Sequence, residues 1–137
     1  MSGTSKRHRD GGGWEEKAGY SRAVRRFGHI AVSGTTAASP DGRAEHPGDT
    51  YGQTAVALRR AIAAMEALGG SLEDVVRTRV YLTPDADWEG AARAHAEVMG
   101  SVAPANTMLY VAGLIGDGFL VEVELEAETS VDVHRWR

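Results

Sequence analysis

Apolar positions recur along the chain with two different periods, and the switch between them marks out its elements. Across residues 49–68, Ala55, Leu58, Ile62, Met65 and Leu68 return at helical spacing and form one apolar stripe. Asp49 or Thr50 can cap this helix, and Gly69-Gly70 ends it, because glycine enters the left-handed conformation that terminates helices. From Val75 to Leu82 the period falls to two. Val76, Thr78, Val80 and Leu82 lie on one face of a strand, with Arg77, Arg79 and Tyr81 on the other. Thr83-Pro84-Asp85 then offers a cap, a proline for the first helical position and an early acid. The helix predicted there buries Trp88, Ala92, His95 and Met99 and stops at Gly100.

Two strands close the chain. The first covers residues 107–111 and the second 119–128, where Val121, Val123, Leu125 and Ala127 alternate with Glu122, Glu124, Glu126 and Glu128. Upstream, residues 23–27 and 30–34 flank Gly28-His29 as a hairpin, and the loop over 38–48 carries Pro40, Gly42, Pro47 and Gly48. Residues 1–13, with Gly11-Gly12-Gly13, read as a flexible tail ahead of a single domain over 14–137.

The predicted order is β-β-α-β-α-β-β, an α+β domain in which two amphipathic helices cover one face of a sheet. The other face is then polar or covered by a partner subunit. Leu109, Val111, Phe27 and Tyr81 make it too apolar for open water, so a homo-oligomer is expected.

Composition narrows the chemistry. The 137 residues suffice for one hydrophobic core, and the 42% hydrophobic and 25% charged content is that of a globular chain. With no cysteine, disulfides, thiolate metal sites and thiol nucleophiles are excluded. No apolar run approaches the roughly 18 residues needed to span a bilayer, and the basic start has no secretory apolar segment, so a cytoplasmic location is expected. The net charge of −4 and the scattered basic residues, with only small groups at Lys6, Arg7, Arg9 and at Arg22, Arg25, Arg26, argue against nucleic acid. His8, His29, His46, His95 and His134 have no ligand spacing, so no metal is expected, and Gly116-Asp117-Gly118 is a turn without the lysine of a phosphate loop.

Several segments together carry a family likeness. Gly19-Tyr20-Ser21-Arg22-Ala23-Val24, Val32-Ser33-Gly34, Ser71-Leu72-Glu73-Asp74-Val75-Val76-Arg77, Val80-Tyr81-Leu82-Thr83, Pro104-Ala105 and Val121-Glu122-Val123-Glu124 stand in an order and spacing that resembles the RidA (YjgF) family. The resemblance implies a chorismate-mutase-like fold, a homotrimer with small-molecule pockets at its subunit interfaces, and cofactor-free hydrolysis of imino or enamine acids to oxo acids and ammonia. It places Tyr20, Gly34 and Glu122 in the pocket, with Glu122 and Tyr20 as the catalytic pair. It also shows departures. Asn106 stands where the family has the arginine that grips a carboxylate, Met108 where many members have cysteine, Ala86 where a pocket asparagine is usual, and Thr35 where glutamine is usual. A hydrogen bond to a charged partner contributes about 1.5–3 kcal/mol, so replacing that arginine weakens carboxylate binding by about one to two powers of ten.

Arg79, on a strand position that is often threonine in the family, is a candidate for the missing charge, against the plainer role of a surface arginine. The substrate-binding set is therefore Gly34, Thr35, Asn106, Met108 and Arg79. The resulting expectation is a hydrolase or deaminase for an imine, enamine or related metabolite other than the usual 2-imino acids. A trimer that only binds such a metabolite is the alternative. The ribonuclease activity attached to some relatives finds no histidine pair here.

Overall fold

The computed structural model describes residues 5–130. The elements are β1 (Ser5–His8), α1 (Gly13–Ala18), β2 (Ala23–Arg26), β3 (His29–Thr35), α2 (Thr50–Glu66), a 3-10 turn (Leu72–Asp74), β4 (Val75–Leu82), α3 (Trp88–Met99), β5 (Ala105–Tyr110) and β6 (Val121–Glu128). The strands form one sheet in the order β1-β2-β3-β6-β4-β5. All neighbours are antiparallel except β4 and β5, which α3 joins as a crossover, as a parallel pair requires. The helices α2 and α3 lie on one face, over Ile30, Val32, Val80, Leu82, Val121, Val123 and Leu125.

Local signals set most of these boundaries. The Asp49 side chain accepts from the Gly52 N–H at the start of α2, and Gly69 beyond its end has φ +89°. Leu58 and Met65 are fully buried on the predicted stripe, while Ile62 packs at its margin. Truncating a residue such as Leu58 to alanine would cost about 2–5 kcal/mol. Gln53, also fully buried, ties α2 to the chain leading into β6. Its amide donates to the carbonyls of His46 and Gly118 and accepts from the Leu120 N–H.

Four expectations change. Ser5–His8 is not a free tail but an edge strand antiparallel to β2, and Gly13–Ala18 adds a short helix closed by Gly19 at φ 74°. A polar segment can do this because backbone pairing needs no apolar side chains; residues 1–4 and 131–137, with His134, lie outside the described part. The hairpin turns on Phe27-Gly28, with Phe27 at φ 53°, because Arg26 pairs with His29. A register shift between Val75 and Arg77 sends Val75 into the core and leaves Val76 exposed, reversing the predicted side of Val76. The helix α3 begins at Trp88, where Asp87 accepts from the Glu89 N–H, and residues 83–86 form a turn before it. The face turned to the core carries Gly90, Ala91, Ala94 and Met99, small residues that allow close approach to α2, so Trp88 is 52% exposed and His95 is half-buried.

Candidate functional site

Glu122 opens β6 and alternates away from buried Val121 and Val123, so its side chain rises from the sheet face that the helices leave open. Its carboxylate lies over Gly34 of β3. A Cβ at position 34 would overlap the Glu122 Oε2 atom, so glycine is required here by space. The pairing of β3 with β6 shifts register between Val32 and Thr35, and this bulge carries Gly34 under the carboxylate. Glu122 is half-buried and, among the described residues, has no ion pair or hydrogen bond to its carboxylate. Burial raises its pKa from the ordinary 4.5, partly opposed by Arg22 and assisted by Glu124. A carboxyl so placed takes and returns a proton nearer neutrality than an exposed glutamate.

Beside it stands Arg22, which along the sequence is one of a small basic group with Arg25 and Arg26. Arg22 donates from Nη2 to the Gly34 carbonyl at 2.9 Å and from Nη1 to Thr35 Oγ1 at 3.2 Å. The Thr35 hydroxyl in turn donates to the Ser33 carbonyl, which leaves its oxygen as the acceptor for Arg22. Tyr20 stacks its ring 5.4 Å from the guanidinium carbon. The backbone N–H of Arg22 donates to Glu15, a buried carboxylate that also accepts from the N–H groups of Asp10 and Gly11. Tyr20, Arg22, Gly34, Thr35, Phe119 and Glu122 therefore line one open groove of about 1310 Å³. The missed signal was hairpin register: Ala23 pairs with Val32, which sets Arg22 opposite Ser33 and next to Gly34.

Arg79 does not join this group. It sits opposite Glu124, donates to Glu126 at 2.8 Å and contacts Glu124 at 3.4 Å, while the Tyr81 hydroxyl also donates to Glu124. Glu124 and Glu126 are thus partners of a cross-strand cluster, and Glu128 meets His29 at 2.5 Å.

Asn106 and Met108 fall on the opposite side of the sheet. Asn106 pairs in register with Thr78 and Met108 with Val80, both core-facing residues. Asn106 Nδ2 donates to Thr78 Oγ1 at 3.0 Å, and Thr78 Oγ1 meets His95 Nε2 at 2.7 Å. Thr78 Oγ1 accepts from Asn106 and shares a second hydrogen bond with His95 Nε2, so the three side chains form one polar chain. Burial lowers the His95 pKa from 6.5 and favours the neutral ring. With Leu82, Trp88, Leu109 and Tyr110, these two residues border a second cleft of about 460 Å³. Ala86 is buried beside it and accepts the Tyr110 hydroxyl at 3.3 Å. Within one chain Tyr20, Gly34, Thr35 and Glu122 line one cleft, Asn106 and Met108 the other, and Arg79 neither.

Known proteins share this framework. The family model described as endoribonuclease L-PSP matches residues 14–129. The uncharacterized protein SCO2049 of Streptomyces coelicolor is 42% identical over 122 residues, covering 89% of this chain and 90% of that protein. The RutC family protein PH0854 of Pyrococcus horikoshii is 31% identical over 77% of this chain and 82% of its own length. Among solved structures, Rv2704 of Mycobacterium tuberculosis, described as a member of the YjgF/YER057c/UK114 family, superposes with a TM-score of 0.81 at 38% identity. That match covers 92% of this chain and all of Rv2704. TdcF of E. coli, solved with bound serine, matches at 23% identity with a TM-score of 0.73 over 81% of this chain and 88% of its own, a likeness of fold.

Proposed function

The chain belongs to the endoribonuclease L-PSP family, also called YjgF or RidA, and has its chorismate-mutase-like fold; from that premise we propose a cofactor-independent hydrolase acting on a small imine, enamine or related metabolite. The observation that carries this reading is Glu122, a half-buried carboxylate without a bonded partner among the described residues, facing an open groove with its pKa raised. In the proposed reaction Glu122 accepts a proton from water as the water oxygen bonds to the C=N carbon. The C=N π electrons move to nitrogen, which takes up that same proton from Glu122 and returns Glu122 to the carboxylate form. The carbinolamine then collapses to a carbonyl as its hydroxyl proton passes through the carboxylate to the departing ammonia. The Tyr20 hydroxyl hydrogen-bonds the bound molecule from the same groove.

The substrate is one that needs no arginine grip at position 106, where Asn106 stands in place of the family arginine, and in this it differs from the usual 2-imino acids. The working form is a homotrimer that covers Val76, Trp88, Leu109 and Tyr110, all exposed in the single chain, and brings the two clefts together between subunits. A monomeric mass by light scattering at micromolar concentration would remove the trimer. The catalytic reading is tested by supplying freshly generated imines and enamines in a coupled assay. At least one is expected to be turned over, with loss in Glu122→Gln and slower use of 2-iminobutyrate than by a relative that carries the arginine.

The second reading, a trimer that binds a metabolite without turning it over, is favoured by the neutral Asn106–Thr78–His95 chain at the other cleft. Absence of turnover across the panel, with binding retained, would select it.

A further inference from the structure

We propose that Arg22 is the carboxylate-binding residue of the Glu122 groove, so that the site takes a small mono-anionic acid held on the Tyr20–Gly34 side. This rests on the reading of that groove as the functional site, and it deepens that reading by naming the group that sets specificity.

The groove is lined by two arginines, and their environments differ. Arg60 is bonded to the Glu45 carboxylate and to the Ala38 carbonyl, so its charge is already matched. Arg22 spends its two short bonds on neutral acceptors, the Gly34 carbonyl and Thr35 Oγ1. Its carboxylate neighbour Asp10 stands 4.0 Å from Nε and is 53% exposed, outside hydrogen-bond range and in high dielectric. Two of five guanidinium N–H donors are used by the neutral contacts, and the planar fork matches a carboxylate.

The side chain is also held in place before any ligand arrives. It is 16% exposed, its ring neighbour is Tyr20, and its backbone is fixed by Glu15 from α1. Less rotamer freedom is then lost on binding than for a free surface arginine. The alternatives offer less: position 106 carries an amide on the other face, and Arg79 is engaged by Glu124 and Glu126.

Glu122 makes the binding proton-linked. An anion on Arg22 lies near the Glu122 carboxyl and favours its protonated form, so the acid binds more tightly at low pH and more weakly as Glu122 ionises.

The test uses the full chain with pyruvate and its neutral analogue pyruvamide, titrated by calorimetry or ligand-observed NMR. The wild-type protein should prefer pyruvate. Arg22→Gln should weaken pyruvate at least about tenfold and leave pyruvamide unchanged, and Arg22→Lys should recover part of the loss, as expected for one charge-assisted contact. The fall in pyruvate affinity with rising pH should flatten in Glu122→Gln. If Arg22→Gln fails to fold, Arg22→Lys decides alone, with a smaller loss confined to pyruvate. Equal weakening of both ligands, unchanged pyruvate affinity, or no preference in the wild type would each overturn the assignment. Glu122-dependent turnover without pyruvate discrimination would remove Arg22 and leave the hydrolase, whereas discrimination without turnover would keep Arg22 and remove the hydrolase.

Discussion

The two faces of the β4–β6 pair solve opposite electrostatic problems with residues that alternate along the same strands. On the helix-covered side the polar groups are few and matched: Asn106 bonds Thr78 and Thr78 bonds His95, whose half-buried ring is pushed toward the neutral form by desolvation. On the open side charges are dense, and most find opposite partners, with Arg79 between Glu124 and Glu126 and His29 beside Glu128. Glu122 departs from both patterns, being half-buried and charged-capable with no bonded partner among the described residues. A fold can satisfy one carboxylate with a cross-strand arginine and leave its neighbour two residues away unmatched, because register decides which side chains meet.

The comparison breaks first at Glu122. Glu122→Gln keeps shape and hydrogen bonding but removes the base, and turnover of an accepted imine should fall by about 10²–10⁴-fold with the fold retained by circular dichroism. An unchanged rate would make Glu122 a bystander like Glu128. Gly34→Ala acts on the same carboxylate from below. The added methyl must displace Oε2, and a misplacement of that size should lower turnover by about 10²-fold while backbone structure persists. A Gly34→Ala protein as active as wild type would show that the observed seat of Glu122 is not the working one.

Asn106→Arg sharpens the contrast between the clefts. In a single chain it faces away from Glu122, so it should raise pyruvate affinity, by about tenfold for one new charge-assisted bond, only in an assembly that joins the clefts. The variant would be compared as trimer and at dilutions where the assembly dissociates. Equal affinity in both forms would sink the division of the site between chains. Thr78→Val then tests the neutral face. It strands two polar partners, and the thermal midpoint should drop by an amount matching about 1–3 kcal/mol, read in parallel with unchanged Glu122-dependent chemistry.

The smallest effect is on stability against pH. Burial raises the Glu122 pKa above the ordinary 4.5, so the folded state binds this proton more tightly than the unfolded chain. The associated stability is present below about pH 4.5 and is lost as pH rises through the folded value. Melting temperatures of Glu122→Gln and wild type should therefore diverge upward in pH in favour of the variant. A gap that stays constant from pH 4 to pH 9 would contradict the burial of the charged form.

Much of this was legible from local pattern. The alternation of β6 placed Glu122 opposite Val121 and Val123, and Asp49 and Gly69 bounded α2 as their chemistry requires. The likeness of ordered segments groups Tyr20, Gly34 and Glu122, and these three line the same groove. Arg22 escaped because it was read among Arg25 and Arg26, whose charges look alike along the chain. Only hairpin register separates it, sending Arg22 to Gly34 while Arg25 donates to the Leu68 carbonyl.

The sequence by itself determined the quantities that depend on neighbours within a turn or two: helical stripes, strand alternation, caps and the residues able to titrate. Tertiary structure decided what depends on pairing between distant segments. The bulge between Val75 and Arg77 moved Val76 out of the core, and the one near Gly34 set the seat of Glu122. Strand β1 formed from a polar leader because β2 offered a free edge, and β5 turned Asn106 toward Thr78 because a parallel register fixes which face each residue takes. A period of two survives any fold, but the face to which it is assigned changes with a single inserted residue.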